Sequence, residues 1–196
     1  SLRGTLQGLP GSSVTLSVQD GDLYASIHTG EVLFRARSGA ASRVLVEQLD
    51  AALPAPELQP LKPAIEAIPS EMLGTPGGDD DGSRLDVLVV YTSRLASYYT
   101  TNGFNLNTLI NTAMTETNQG YANSQINQRV NLAGTMQVTW DEAGLNWSTT
   151  LSNLRNGAAP FENVAATRDA VRADLVTLLV LDYDYTSCGI GYLMTS

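Results

Sequence analysis

The sequence predicts a small antiparallel β unit followed by an α/β unit whose mainly parallel, twisted sheet is covered by helices. Three observations carry this. Residues 1 to about 50 alternate polar and apolar side chains in short runs separated by turn residues, as strands with one buried face do. Two later segments, Leu85–Tyr91 and Leu175–Leu181, are nearly unbroken apolar runs, the pattern of strands buried on both faces. Between them lie segments of helical periodicity, and strands separated by helices give crossover connections and a parallel sheet.

In the first unit, Ser13–Val18 places Val14, Leu16 and Val18 on one strand face. Gln19-Asp20-Gly21-Asp22 follows, and Asp-Gly between alternating runs is a hairpin signal. Leu23–Thr29 and Glu31–Arg37 are expected as further strands broken at Gly30, with Arg43–Leu49 as a fourth. Six of the eight prolines then fall between residues 52 and 83 (Pro54, Pro56, Pro60, Pro63, Pro69 and Pro76), disfavouring helix and sheet. That stretch ends in Gly77-Gly78-Asp79-Asp80-Asp81-Gly82-Ser83, the composition of a protease-accessible linker. The boundaries expected are therefore 1–52, 53–84 and 85–196.

In the second unit, Leu106, Leu109, Ile110, Ala113, Met114, Thr117 and Tyr121 recur at helical spacing, giving a helix over 106–124 with Asn105 as its N-cap. Val130–Trp140 alternates and is expected as a strand. Ser148–Asn156 fits a short helix closed by Gly157, and a further helix over 163–173 leads into the apolar run at Leu175.

Composition narrows the function. The chain has 196 residues, 43% hydrophobic and 16% charged, with a net charge of −9, one lysine (Lys62) and scattered arginines. A nucleic-acid partner needs clustered cations and is not expected. No apolar run has membrane-spanning length, so no membrane partner is expected either. A nucleotide fold is disfavoured because Tyr91-Thr92-Ser93-Arg94 offers no glycine-rich loop after the first buried strand. The chain opens on Ser1 without a signal peptide, as a processed or truncated product does. Cys188 stands alone, either as a small buried hydrophobe or with a disulfide partner beyond residue 196.

The second unit resembles the metzincin metallopeptidases, and within them the reprolysin-like, peptidyl-Asp type of bacterial enzyme. The resemblance lies in Leu85–Thr92, in the helix Ala113–Ser124 with Ile126, in Ala173–Val180, and in Cys188-Gly189-Ile190-Gly191-Tyr192-Leu193. It implies the upper subdomain of a secreted or periplasmic zinc endopeptidase, with residues 1–52 as a β-rich prosegment, and peptides or proteins as substrates. Such enzymes hold zinc through H-E-x-x-H-x-x-G-x-x-H, with the glutamate as general base. The only histidine is His28, so no catalytic residue and no metal ligand carries over; the motif is expected after Ser196, in the missing C-terminal part of the protease domain. The family's edge strand, which binds extended substrate by β-augmentation, matches Gly189, Ile190, Gly191 and Tyr192. Glycine there permits close backbone approach, or else serves a strand-leading turn with φ > 0.

Calcium is a second cofactor to consider. Asp79-Asp80-Asp81 lacks EF-hand spacing and reads better as a solvated charge run, while Asp86 and Asp174 sit where related enzymes bind structural calcium but also suit capping. Asp182, Tyr183, Asp184 and Tyr185 follow the last strand, at the end of the sheet where α/β proteins place sites. Asn146-Trp147-Ser148 matches a glycosylation acceptor, meaningful only in a eukaryotic secretory pathway. The competing function is a non-catalytic secreted module, a β unit joined to an α/β binding domain.

Overall fold

The computed structural model describes residues 1–39, 43–49, 84–181 and 189–192. Strands β1 (Leu2–Gly4), β2 (Ser13–Gln19), β3 (Asp22–His28), β4 (Leu33–Gly39) and β5 (Arg43–Leu49) form an antiparallel sheet in sequence order. Gln19 pairs with Asp22, leaving Asp20 and Gly21 as a two-residue turn at φ 53° and 85°. Two left-handed residues match the twist of the flanking strands, which is why Asp-Gly serves here. The expected strands are present, and β1 adds to them by pairing Leu2 with Leu16.

The second unit is a three-stranded parallel sheet, ordered β7 (Arg129–Val138), β6 (Arg84–Thr92), β8 (Leu175–Leu179). Its middle strand β6 is buried on both faces at Val87, Leu88, Val89 and Val90, as the unbroken apolar run requires. Helices α1 (Ser93–Thr101) and α2 (Leu106–Asn123) connect β6 to β7, and α3 (Trp147–Asn156) and α4 (Val164–Ala170) connect β7 to β8. One face of the sheet packs Val87 and Val89 against Ile110, Leu106 and Met114 of α2. The other packs Leu88 and Val90 against Phe161, Val164 and Leu154 from the α3–α4 crossover. A register shift at Val87/Leu88 skips Ala133, and a Cβ on Gly134 would stand 3.4 Å from Val171 Cγ1.

Caps explain the helix limits. Asn105 Oδ1 accepts from the amides of Asn107 and Thr108 at the start of α2. Gly157, at φ 64°, closes α3 in the left-handed conformation. Two expectations need correction. Helix α4 stops at Ala170 rather than 173, because Arg172 turns left-handed (φ 55°) and Ala173 N donates back to Arg168 O at 2.9 Å. Strand β8 is not buried on both faces: Leu175 is 40% exposed, because β8 pairs with β6 alone among the strands described. Helix α1 has no counterpart among the expected elements; nine residues with only Leu95 and Tyr99 buried carry too little periodicity.

The two units meet through a polar seam. Alternation puts Thr15, Ser17, Tyr24 and Arg37 on one face of the N-terminal sheet and Val14, Leu16, Leu23, Ile27 and Phe34 on the other. The first face docks on α2. Thr112 Oγ1 donates to Ser17 Oγ at 2.8 Å, Asn111 Nδ2 donates to Gln19 Oε1 at 3.1 Å, and Arg3 donates to Gln119 Oε1 and Thr115 O. The Arg37 guanidinium lies over the Phe104 ring, 4.0 Å from its centroid.

Candidate functional site

At the carboxyl end of the parallel sheet, where open α/β folds place their sites, one buried carboxylate joins three segments. Glu142 is 2% exposed and sits in the loop after β7 with φ 65°, a left-handed conformation that a non-glycine residue adopts only under local constraint. Its Oε1 accepts from Thr92 Oγ1 at 2.5 Å and from the Leu181 amide at 2.8 Å. Thr92 Oγ1 in turn accepts from Leu95 N at 3.0 Å as the N-cap of α1. The same loop is held to α1 by Ser93, whose Oγ donates to Trp140 O at 2.8 Å and accepts from Trp140 N at 3.0 Å. The end of β6, the start of α1 and the residue at which the chain leaves β8 are thus tied to one side chain.

Residues Gly189–Tyr192 follow β8 along the chain. Of these, Ile190, Gly191 and Tyr192 line, with Trp147, Leu151 and Leu154 of α3 and Val176 and Leu178 of β8, an open apolar groove of about 460 Å³. The Arg155 guanidinium sits 5.1 Å from the centroid of the Tyr192 ring. A Cβ built on Gly189 or Gly191 meets nothing within 4 Å, and Gly191 is not left-handed. Glycine at 191 is therefore not demanded by a φ > 0 turn; it leaves open space beside the backbone. Trp147 Nε1 is buried beside this groove without a hydrogen-bond partner among the described residues.

The other candidates resolve into structural roles. Asp174 Oδ2 accepts from the Asp86 amide at 2.7 Å, and Asp174 N donates to Asp86 O at 2.7 Å. The Asp86 carboxylate takes Asn131 Nδ2 at 2.6 Å and Arg84, and these partners hold its pKa below the ordinary aspartate value, Asn131 foremost. Asp86 thus acts as an ion-pair and hydrogen-bond acceptor, and Asp174 as a tie to the Asp86 backbone. Asn146 Oδ1 accepts from Thr149 N at 3.0 Å as the N-cap of α3, which accounts for asparagine there. His28 is exposed on β3, with Nε2 3.5 Å from Ser26 Oγ. Asp79–Asp81, Asp182–Tyr185, Cys188 and Leu193 lie outside the described residues. Among the described residues no three His, Cys, Asp or Glu side chains converge to hold a metal, and no helix is long and apolar enough to cross a membrane.

Sequence reasoning misses Glu142 and Trp147. Asp141-Glu142-Ala143-Gly144 has the composition of a solvated turn, and nothing local marks the second acid as the buried one.

No protein-family profile matches the chain. It is similar to peptidyl-Asp metalloendopeptidases from two strains of Stenotrophomonas maltophilia, with 31% identity over 187 residues and 30% over 186. Each match covers 93% of this chain and 43% of the relative. A peptidyl-Asp metalloendopeptidase of Xanthomonas campestris pv. campestris is 28% identical over 194 residues, covering 95% of this chain and 45% of the relative. The chain thus spans less than half the length of the curated relatives it matches, and the similarity supports kinship with metallopeptidases.

Proposed function

We propose that this chain is the N-terminal portion of a secreted zinc metalloendopeptidase precursor of the reprolysin-like, metzincin kind. In this reading residues 1–52 are the prosegment, 53–84 the linker cut on activation, and 85–196 the upper part of the catalytic domain. The observation that carries it is the reach of the similarity: it covers 93% of the chain, too much for either the N-terminal sheet or the α/β unit to be left out.

The described residues do not fit a zinc site, since no cluster of three potential ligands exists among them and the only histidine is on β3. The ligands and the general base are accordingly assigned to sequence after Ser196, and the bond-breaking chemistry goes with them. What this part of the chain contributes is substrate alignment. An extended peptide pairs with the backbone of Gly189–Tyr192, and the open space beside both glycines lets the strands approach. The apolar groove beside Ile190 and Tyr192 gives that edge a floor. Export to the periplasm or medium is part of the proposal and rests on the sequence resemblance.

The test compares the 196-residue chain with a polypeptide extended along its reading frame. Expected are an H-E-x-x-H motif in the extension, about one zinc per molecule, and peptide hydrolysis only in the longer form. Hydrolysis by the shorter chain, or an extension without the motif, overturns the reading. In the longer form, Gly191→Val is expected to raise KM by roughly tenfold with kcat less affected, as lost strand pairing does. An unchanged KM would remove the edge from the substrate path.

A further inference from the structure

We propose that β5 is a self-pairing edge through which two copies of this chain join their N-terminal sheets into one continuous antiparallel sheet. The inference is independent of the protease reading and begins with exposure. Strand β5 is terminal in its sheet among the described residues, and Val44, Leu45 and Val46 are 55%, 43% and 60% exposed. Edge strands are usually protected from pairing by proline, lysine, a bulge or shortness, or by charges. Strand β5 has none of the first four: it runs seven residues, Arg43-Val44-Leu45-Val46-Glu47-Gln48-Leu49, in unbroken register with β4. Its charges are one of each sign and so pair rather than repel in a two-fold arrangement. The opposite edge, β1, has only three residues.

The identity of the partner follows from the order of side chains. Placed antiparallel to itself about a two-fold axis at Leu45, the strand sets Arg43 opposite Glu47, Val44 opposite Val46 and Leu45 opposite Leu45. Two opposite-charge pairs and two β-branched pairs then occupy directly facing positions, the arrangement that stabilises neighbouring strands. A shift by one residue either way breaks the charge match, so the register is specified as well as the partner. Arg43 has no ion-pair partner among the described residues. Glu47 uses Oε1 for Arg37 at 2.9 Å, and its side chain keeps 40% exposure, leaving the second oxygen accessible. The two-fold axis also keeps like faces on the same side. Val44 and Val46, on the apolar face with Phe34 and Ala36, thus meet the same residues of the second copy.

The test is the oligomeric state of the 196-residue chain, measured by sedimentation over roughly 1–100 μM, the range in which a modest interface declares itself. A concentration-dependent dimer is expected. Arg43→Glu and Glu47→Arg are each expected to weaken self-association by tenfold or more, since each places like charges opposite one another. An equimolar mixture of the two variants restores the dimer, because acidic edges then face basic ones. Monomer at every concentration for the parent chain, or a mixture no more associated than its components, overturns the proposal. Should either variant misfold by circular dichroism, Leu45→Cys in a Cys188→Ala background gives the second measurement. Facing Cα atoms at strand spacing suit a disulfide, so a covalent dimer forms on mild oxidation. Its absence also sinks the idea.

Discussion

Thr92 donates its hydroxyl hydrogen to Glu142 Oε1 at 2.5 Å while accepting the Leu95 amide at 3.0 Å, so one hydroxyl couples a helix cap to a buried carboxylate. The same carboxylate oxygen receives the Leu181 amide. Through these bonds the way the chain leaves β8 depends on a loop 39 residues earlier.

Glu142→Ala is expected to destabilise the fold by about 1–3 kcal/mol, because the Thr92 hydroxyl and Leu181 amide lose a buried acceptor. Glu142→Gln keeps an acceptor oxygen and costs less. Urea denaturation of the three proteins decides it. An alanine variant within about 0.5 kcal/mol of the parent, the range of ordinary surface changes, would show that the bonds carry little.

The seam between the units makes a second, separable claim. Ser17 and Thr112 are both buried and bonded at 2.8 Å across it. A double-mutant cycle with Ser17→Ala and Thr112→Val should return a coupling of about 0.5–1.5 kcal/mol. Additive effects would place the seam's cohesion elsewhere.

Phe161 is 1% exposed, and its ring meets Trp140 edge-on with centroids 5.8 Å apart. Phe161→Ala is expected to cost about 3–5 kcal/mol, the usual range for an aromatic removed from a core that cannot collapse. Calorimetry or denaturant melts read it directly, and a loss below about 1 kcal/mol would mean the α3–α4 crossover is loosely packed.

The pH dependence should fall away at both extremes for different reasons. Burial first of all raises the Tyr99 phenol to about 12, above its ordinary 10.0. A folded-state pKa above the unfolded one means the neutral form is favoured by folding. This stabilisation is complete below pH 10 and is lost as pH rises towards 12. Asp86 runs oppositely. Its lowered pKa gives stability present above the unfolded value and lost as pH falls below it, in the acid range under about pH 4. Tyr99→Phe should flatten the alkaline limb and Asp86→Asn the acid one in melts taken across pH; a limb unchanged by its substitution would assign that limb to another group.

Much of the architecture is legible in the sequence because local and tertiary demands agree. Val87–Val90 are apolar on consecutive positions in a run of strand length, as a strand covered on both faces is, and β6 meets that expectation. Asn105 and Gly157 mark helix limits by chemistry that needs no distant partner. What stays hidden depends on distant partners. The exposure of β8 follows from which strands flank it, and no residue within Leu175–Leu179 encodes that. The burial of Glu142 arises from Thr92 and Leu181, each 39 residues or more away along the chain. Gly189–Tyr192 are visible as a pattern, whereas the groove beneath them needs α3 in place.

The N-terminal sheet turns hydroxyls, amides and the buried Tyr24 towards α2. Parting the two units would uncover the Tyr24 and Phe104 rings together with these polar groups, and water would take up the vacated hydrogen bonds. Cohesion of this sort leaves a mixed scar: after a cut between the units, each piece keeps a flank of wettable groups with an aromatic ring among them.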